Sequence, residues 1–171
     1  MTIVVHDASI LIDLVTCDLS ESWFQLGFAT TTTSLVWREV NRRRQKQRLR
    51  AFVDRGILRI EAASAETMTG ILKLRAELPR GVTVEDASVL HLAAKLKAIL
   101  LSSDGLVRRC GSELGVEVHG ILWVLDTLVQ RKAITADVAV DRLQKLLQTG
   151  TTWLPEEECK RMIKKWRKSS V

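Results

Sequence analysis

The sequence has no tyrosine, and aromatic residues make up 5% of its 171 positions. That leaves little for unpaired bases to lie on, so a single-strand stacking platform is weakly supported. Only three cysteines occur, Cys17, Cys110 and Cys159. Odd in number and far apart, they argue against a disulfide framework and for a reducing, cytoplasmic setting. Apolar runs stop at four or five residues, far short of the ~20 that span a bilayer, so no membrane role is expected. The opening residues lack the basic-then-apolar layout of a signal peptide. Neither G-x-G-x-x-G nor G-x4-G-K-[ST] occurs, which weakens dinucleotide and P-loop readings. His6, His91 and His119 do not pair at i, i+4 and have no Cys-x-x-Cys beside them, which disfavours zinc. The G-x-S-x-G of a serine hydrolase is also missing.

What is present is charge, unevenly placed. The formal +6 at pH 7 contains two basic segments. Arg38 to Arg59 carries nine basic residues against Glu39 and Asp54, and Cys159 to Val171 carries six with no acid. The remainder nets −7. Clustered Arg and Lys suit a polyanion such as nucleic acid. The plain alternative is a solvated helix face. Arg42, Arg43, Arg44, Lys46 and Arg48 are the candidates for gripping backbone phosphates, contacts that position a nucleic acid without reading its sequence.

The hydrophobic pattern alternates strands with helices. Ile3-Val4-Val5-His6 reads as a buried strand, with Asp7-Ala8-Ser9 opening a helix. The Thr30 to Ser34 cluster reads as an N-cap for one long basic helix from about Leu35 to Arg55, stopped by Gly56. Ile57 to Ile60 and Ile99 to Ser102 read as strands, and Val116-Glu117-Val118 as a short one. Thr83 to Lys97 reads as a helix. The C-terminal third is mainly helical, with a last basic helix from Pro155 to Lys168. The whole implies an α/β domain with a mostly parallel sheet. In the tail Trp166, Met162 and Ile163 form an amphipathic stripe, expected to dock on the body of the protein. Trp37 and Trp123 fit core positions.

Four acids fall where such a sheet gathers ligands. Asp7 follows the first strand and Asp104 follows the strand Ile99 to Ser102. In open parallel sheets the ligand crevice lies outside the carboxyl ends of the strands. Glu39 and Asp86 sit in early turns of helices whose N-termini face the same crevice. Each has a plain explanation: Asp7 and Asp104 as N-caps, Asp86 as the last member of a capping box from Thr83, Glu39 as an offset to the basic run. Four acids converging on one crevice would repel one another without cations. Hard divalent ions such as Mg²⁺ or Mn²⁺ take carboxylates and water and use phosphate oxygens as further ligands. Acids in the pocket and bases on its rim make a coherent metal-dependent phosphodiesterase. The rivals are a non-catalytic nucleic-acid-binding module and a receiver-like phospho-acceptor. The latter lacks its usual adjacent acids after the first strand and a late-strand lysine.

Three segments carry a resemblance: Ile3 through Leu14, Thr33 through Val40, and Glu85 through Ala93 with Ile99 through Asp104. In order and spacing they resemble the PIN-domain family, especially VapC-type toxin ribonucleases and relatives with a helical C-terminal extension. The resemblance implies a three-layer α/β/α fold with a five-stranded, mostly parallel sheet over residues 1–150, followed by a basic helical tail over 151–171. It implies a metal-binding and catalytic quartet of Asp7, Glu39, Asp86 and Asp104, with Ser9 and Ser102 as supporting hydroxyls and Mg²⁺ or Mn²⁺ as cofactor. It implies RNA as substrate, 5′-phosphate and 3′-hydroxyl products, a homodimer, and a cognate antitoxin as partner. RNA-processing nucleases without an antitoxin share the pattern. Many relatives have another acid shortly after the last Asp; here Gly105-Leu106-Val107-Arg108 follows, which leaves open one metal or two. Arg108 is placed to reach a phosphate near the metal. Asp13, nearly two turns beyond Asp7, is expected to cap or pair on the surface.

Overall fold

The computed structural model describes residues 1–150 and 152–168. The linker expected at Gly150-Thr151-Thr152 and the end of the tail, 169–171, therefore fall partly outside the described residues. Five parallel strands form one sheet: β1 (Ile3–His6), β2 (Ala29–Thr33), β3 (Leu58–Glu61), β4 (Ile99–Leu101) and β5 (Val118–His119). Their order is β3-β2-β1-β4-β5. The chain works outward from β1 to one edge, then returns to build β4 and β5 on the other side. The strand order thus reverses between β1 and β4, which is where ligands bind in such sheets. Val4 and Val5 are both fully buried although they point to opposite faces. Both faces of the sheet are therefore covered by helices, as parallel sheets require.

One covering layer contains α1 (Ala8–Thr16), α2 (Ser20–Phe24) and α4 (Arg43–Asp54). The other is built on α6 (Val84–Leu96), which packs on β1, β2 and β4 and is flanked by α5 (Ala65–Glu77) and α7 (Gly105–Glu113). A short α3 (Ser34–Glu39) follows β2. The C-terminal third is α8 (Ile121–Gln130), α9 (Ala136–Thr149) and α10 (Glu156–Lys168), packed on one another. Among the described residues no helix is long and apolar enough to cross a membrane.

Two expectations need correction here. The threonine cluster supplies the expected N-cap only at Thr33; the rest of it is the strand β2, suited by its β-branched residues. All four threonines are buried with hydroxyl partners: Thr30 donates to Ile57 O (2.6 Å), Thr31 to Arg59 O (3.2 Å) and Thr32 to His6 O (2.7 Å), while Thr33 bonds Ser88 Oγ (2.7 Å). Only Thr33 also caps a helix, accepting from Val36 N at 3.2 Å. The long basic helix, second, is broken at 40–42 into α3 and α4. Val36 and Val40 are buried on one side of the break, Leu49 and Phe52 beyond it. At about 100° per residue the two pairs would face nearly opposite ways on a straight helix. Breaking it lets each half bury its own apolar face.

The tail docks on the body as expected. Trp166 is buried, and its indole N–H donates to Asp126 Oδ1 at 3.0 Å. Lys165 reaches Asp126 Oδ2 at 2.6 Å. Part of the tail's charge is neutralised within α10, where Lys160 pairs with Glu156 (2.8 Å) and Glu157 (3.1 Å). Acids in the first turn and bases in the last suit the helix dipole.

His6 is structural. Trp23 Nε1 donates to His6 Nε2 at 2.9 Å, so the ring proton sits on Nδ1, 3.2 Å from Thr31 O. Burial holds its pKa down to about 4 from 6.5. Between those values the unfolded chain binds the extra proton and the folded one does not. Stability from this group is therefore complete above pH 6.5 and is lost as pH falls towards 4, by about 3 kcal/mol. Urea melts of the wild type and His6→Gln at pH 4.5 and 7 should differ by that slope; parallel pH profiles would refute it.

Candidate active site

Asp7 lies just past β1, at the point where the strand order reverses. It is 4% exposed and is the N-cap of α1. Its Oδ1 accepts from Ala8 N (2.7 Å), and its Oδ2 accepts from Ser9 Oγ (3.0 Å) and Ser102 Oγ (2.8 Å). Those two hydroxyls in turn accept backbone N–H groups: Ser103 N on Ser9 Oγ (3.0 Å) and Asp104 N on Ser102 Oγ (3.1 Å). One carboxylate oxygen thus organises the turn that carries Asp104. Despite these bonds the Asp7 carboxyl titrates above its usual range, because burial outweighs them and the charge of Asp86 adds to it.

Glu39 lies in the second turn of α3 as expected, and is also its last residue because the helix ends there. The residue as a whole is exposed. Even so, partial burial, then the charges of Asp7, Glu85 and Asp86, push its carboxyl up to about 7. Asp86 closes a capping box with Thr83: its Oδ2 accepts from Thr83 N at 2.7 Å, and its own N–H donates to Thr83 Oγ1 at 3.1 Å. Asp104 caps α7, accepting from Leu106 N (2.7 Å) and Val107 N (3.0 Å) through Oδ1 alone. The plain capping roles of Asp7, Asp86 and Asp104 are therefore all realised. They do not use every oxygen, since an ionised carboxylate has about four lone-pair sites.

The fold brings Asp7, Glu39 and Asp86 close enough for their charges to act on one another, and adds Glu85, the neighbour of Asp86 in sequence. Asp104 joins them through Ser102 rather than through its own charge. Among the described residues none of these five acids makes an ion pair. None of the described His, Cys, Asp and Glu side chains forms a group of three arranged to hold a metal ion as it stands. In chemistry the donor set fits a hard divalent cation: carboxylates and hydroxyls only, mutually repelling, with no basic side chain to balance them.

Asp13 is a correction. It is 2% exposed, not on the surface. Ser103 Oγ donates to its Oδ2 at 2.9 Å, and Thr152 Oγ1 bonds the same carboxylate at 2.9 Å. It therefore ties the turn before Asp104 to the connection between α9 and α10. The sequence signal was available: Asp13 falls on the buried face of α1, beside Leu14 and Ile10. Asp13→Ala leaves two hydroxyls without an acceptor and should lower unfolding stability by about 1–3 kcal/mol. A denaturant midpoint equal to that of the wild type would contradict this.

The basic candidates separate. Arg42, Arg43 and Arg44 are exposed and make no ion pair among the described residues. Lys46 lies over the buried Trp37 ring, 5.4 Å from its centroid. Arg48 is engaged, 2.8 Å from Asp18. Arg108 Nη1 donates to Ser102 O (3.3 Å) and Ser103 O (3.0 Å), bracing the turn from below. An open groove of about 530 Å³ runs from Ser9, beside Asp7, past Asp13 to Arg42.

Comparison with protein families decides what this architecture is. The DUF3368 family model, a PIN domain, matches residues 3–168. The chain belongs to the PIN-domain family. That match includes the helical extension as well as the sheet. The PIN domain is generally a nuclease fold, a hydrolase class at the coarse level, and one that generally uses divalent metal ions. The crystal structure of PAE2754 from Pyrobaculum aerophilum is similar at 17% identity and a TM-score of 0.54, covering 75% of this PIN domain and 98% of that chain. A PilT N-terminus domain protein, SSO1118 from Sulfolobus solfataricus P2, is similar at 17% identity and a TM-score of 0.49, covering 75% and 94%. A search of curated proteins gave no match to this PIN domain.

Proposed function

We propose that this PIN domain is a metal-dependent endoribonuclease in which Asp7, Glu39, Asp86 and Asp104 hold Mg²⁺ or Mn²⁺. The observation that carries the reading is the gathering of uncompensated carboxylates at the β1/β4 reversal, with one of them raised to about 7 by partial burial and then by the charges of its neighbours. Repulsion of this kind is relieved by a cation. A bound divalent ion supplies Lewis-acid polarisation of a phosphoryl oxygen and a water of lowered pKa.

The protein's own residues do the rest. Asp7 fixes the Ser102-to-Asp104 turn through its two serine hydroxyls, and the cap on α7 uses only Oδ1 of Asp104, which leaves Oδ2 for a metal. Glu39, poised near neutrality, gives up a proton as the site fills. Arg42, Arg43 and Arg44 open α4 with no acid in its first turn and no side-chain cap. Positive charge at the positive pole of a helix is locally unfavourable, and such a violated rule marks a functional surface. Backbone phosphates running along the groove beside Arg42 would offset it.

The finer reading is the toxin of a type II pair, with an antitoxin whose basic side chain enters the acid cluster. The test begins with the nuclease itself. Single-stranded RNA incubated with the purified chain and Mn²⁺ is expected to be cut, and excess EDTA to stop it. Cleavage undiminished by EDTA overturns the proposal. RNA retained with steep salt dependence but never cut favours the binding module instead.

A further inference from the structure

A second cavity, of about 310 Å³, lies between the β5–α8 turn and the start of α10, and reaches Ser103, the neighbour of Asp104. That volume is at the lower end for small-ligand pockets. Ser103 and Arg108 form the wall it shares with the acid site. Arg108 Nη1 is taken up by two carbonyls, whereas Nε and Nη2 have no hydrogen-bond partner among the described residues. They form a planar pair of donors of the kind that matches phosphate. The guanidinium also reaches the turn that starts α8. A Cβ on Gly120 would meet Nη1 at 3.3 Å, so a larger residue there would ask the guanidinium to shift by a few tenths of an ångström.

The floor is aromatic. His119 lies flat on Trp123, with ring centroids 4.4 Å apart and planes 3° from parallel. Trp123 is held from beneath by Trp23, edge-on at 6.2 Å. His119 is fixed in its plane by Glu117 Oε1, 2.8 Å from Nε2. A chain with little aromatic content thus places a rigid two-ring stack beside its proposed scissile position. Across the cavity is the Glu158 carboxylate, only loosely paired with Arg161 at 3.6 Å. It disfavours a cluster of phosphates and suits the amino or imino edge of a base.

We propose that this cavity is a nucleotide subsite, taking the base on the His119 stack and the phosphate on Arg108 for the residue next to the scissile bond of single-stranded RNA. The proposal rests on the ribonuclease reading for the strand it belongs to. The geometry for a single nucleotide is present in the chain itself.

The test uses the full chain in EDTA, so that nothing is cut, with GMP as the probe. Amide and indole NMR signals of Gly120 and Trp123 should shift on titration. His119→Ala should weaken GMP at least fivefold, and His119→Phe, which keeps a flat ring, should stay within twofold of the wild type. Arg108→Gln should weaken GMP but not guanosine. The proposal is overturned if GMP leaves those signals unmoved, if inorganic phosphate moves them as far as GMP does, or if His119→Ala binds as well as the wild type. A chain that cuts RNA with Mn²⁺ but ignores GMP fails the subsite alone. A chain that binds GMP here but never cuts RNA fails the ribonuclease reading and, with it, the placement next to a scissile bond.

Discussion

Asp7→Asn is expected to lower metal-dependent RNA cleavage about a thousandfold, the order seen when one group stabilising transition-state charge is removed, while the chain stays folded. Its carboxylate combines burial, three accepted hydrogen bonds and the repulsion of Asp86. An amide keeps most of those bonds, since the hydroxyls of Ser9 and Ser102 can accept as well as donate. It removes the charge whose burial is unfavourable and raises the Asp7 carboxyl above its usual range. Stability at neutral pH should therefore hold or rise, and Glu39, relieved of one neighbouring charge, should titrate below about 7. Cleavage rates, thermal melts and a carboxyl titration followed by NMR read these separately. A cleavage rate within tenfold of the wild type would remove Asp7 from the metal site.

Replacing Arg42, Arg43 and Arg44 together by Gln should weaken RNA binding by about ten- to a hundredfold at moderate salt. The slope of log affinity against log salt should flatten by about 2, since single strands lose ~0.7 per neutralised phosphate. The same substitution removes three like charges from the positive end of α4, each unfavourable by about 0.3–1 kcal/mol at low ionic strength. Binding and stability should thus move in opposite directions. Measurement in the Asp7→Asn background keeps the RNA intact. If stability falls with binding, or the salt slope is unchanged, these arginines are scaffold rather than contact.

Much of this was legible because the site lies where local signals are strongest. The acid after β1, the Thr83 capping box and the Asp after β4 each sit at a helix start, and capping chemistry shows in four consecutive residues. Apolar runs separated by helical periods pointed to a mostly parallel α/β sheet, the family resemblance supplied its five strands, and the polar β2 could not be read from an apolar run. What escaped notice depends on packing between distant segments. No glycine or proline marks the break at 40–42; only the opposed faces of Val36 and Leu49 do. The five-residue α2 is too short to show a period. Asp13 reads as a surface acid until Thr152, 139 residues on, is seen to bond it. His119 looks incidental in sequence because its partners in the cavity, Arg108 and Glu158, come from two other helices.

The polar strand β2 poses a problem of registry. Four consecutive threonines present nearly the same side chain to every neighbour, so hydrophobic patterning cannot tell one alignment with β1 from another two residues away. The carbonyls that their hydroxyls bond also repeat along the adjoining strands. The distinguishing mark is at the strand's end, where Thr33 bonds Ser88 on α6 and caps α3. A slip of two residues would carry Glu39 about 7 Å along the sheet and draw Val36, Trp37 and Val40 away from their buried positions. The Thr33–Ser88 contact therefore ties the end of β2 to α6, the helix that opens with Asp86, and so couples strand registry to the placing of the acid cluster.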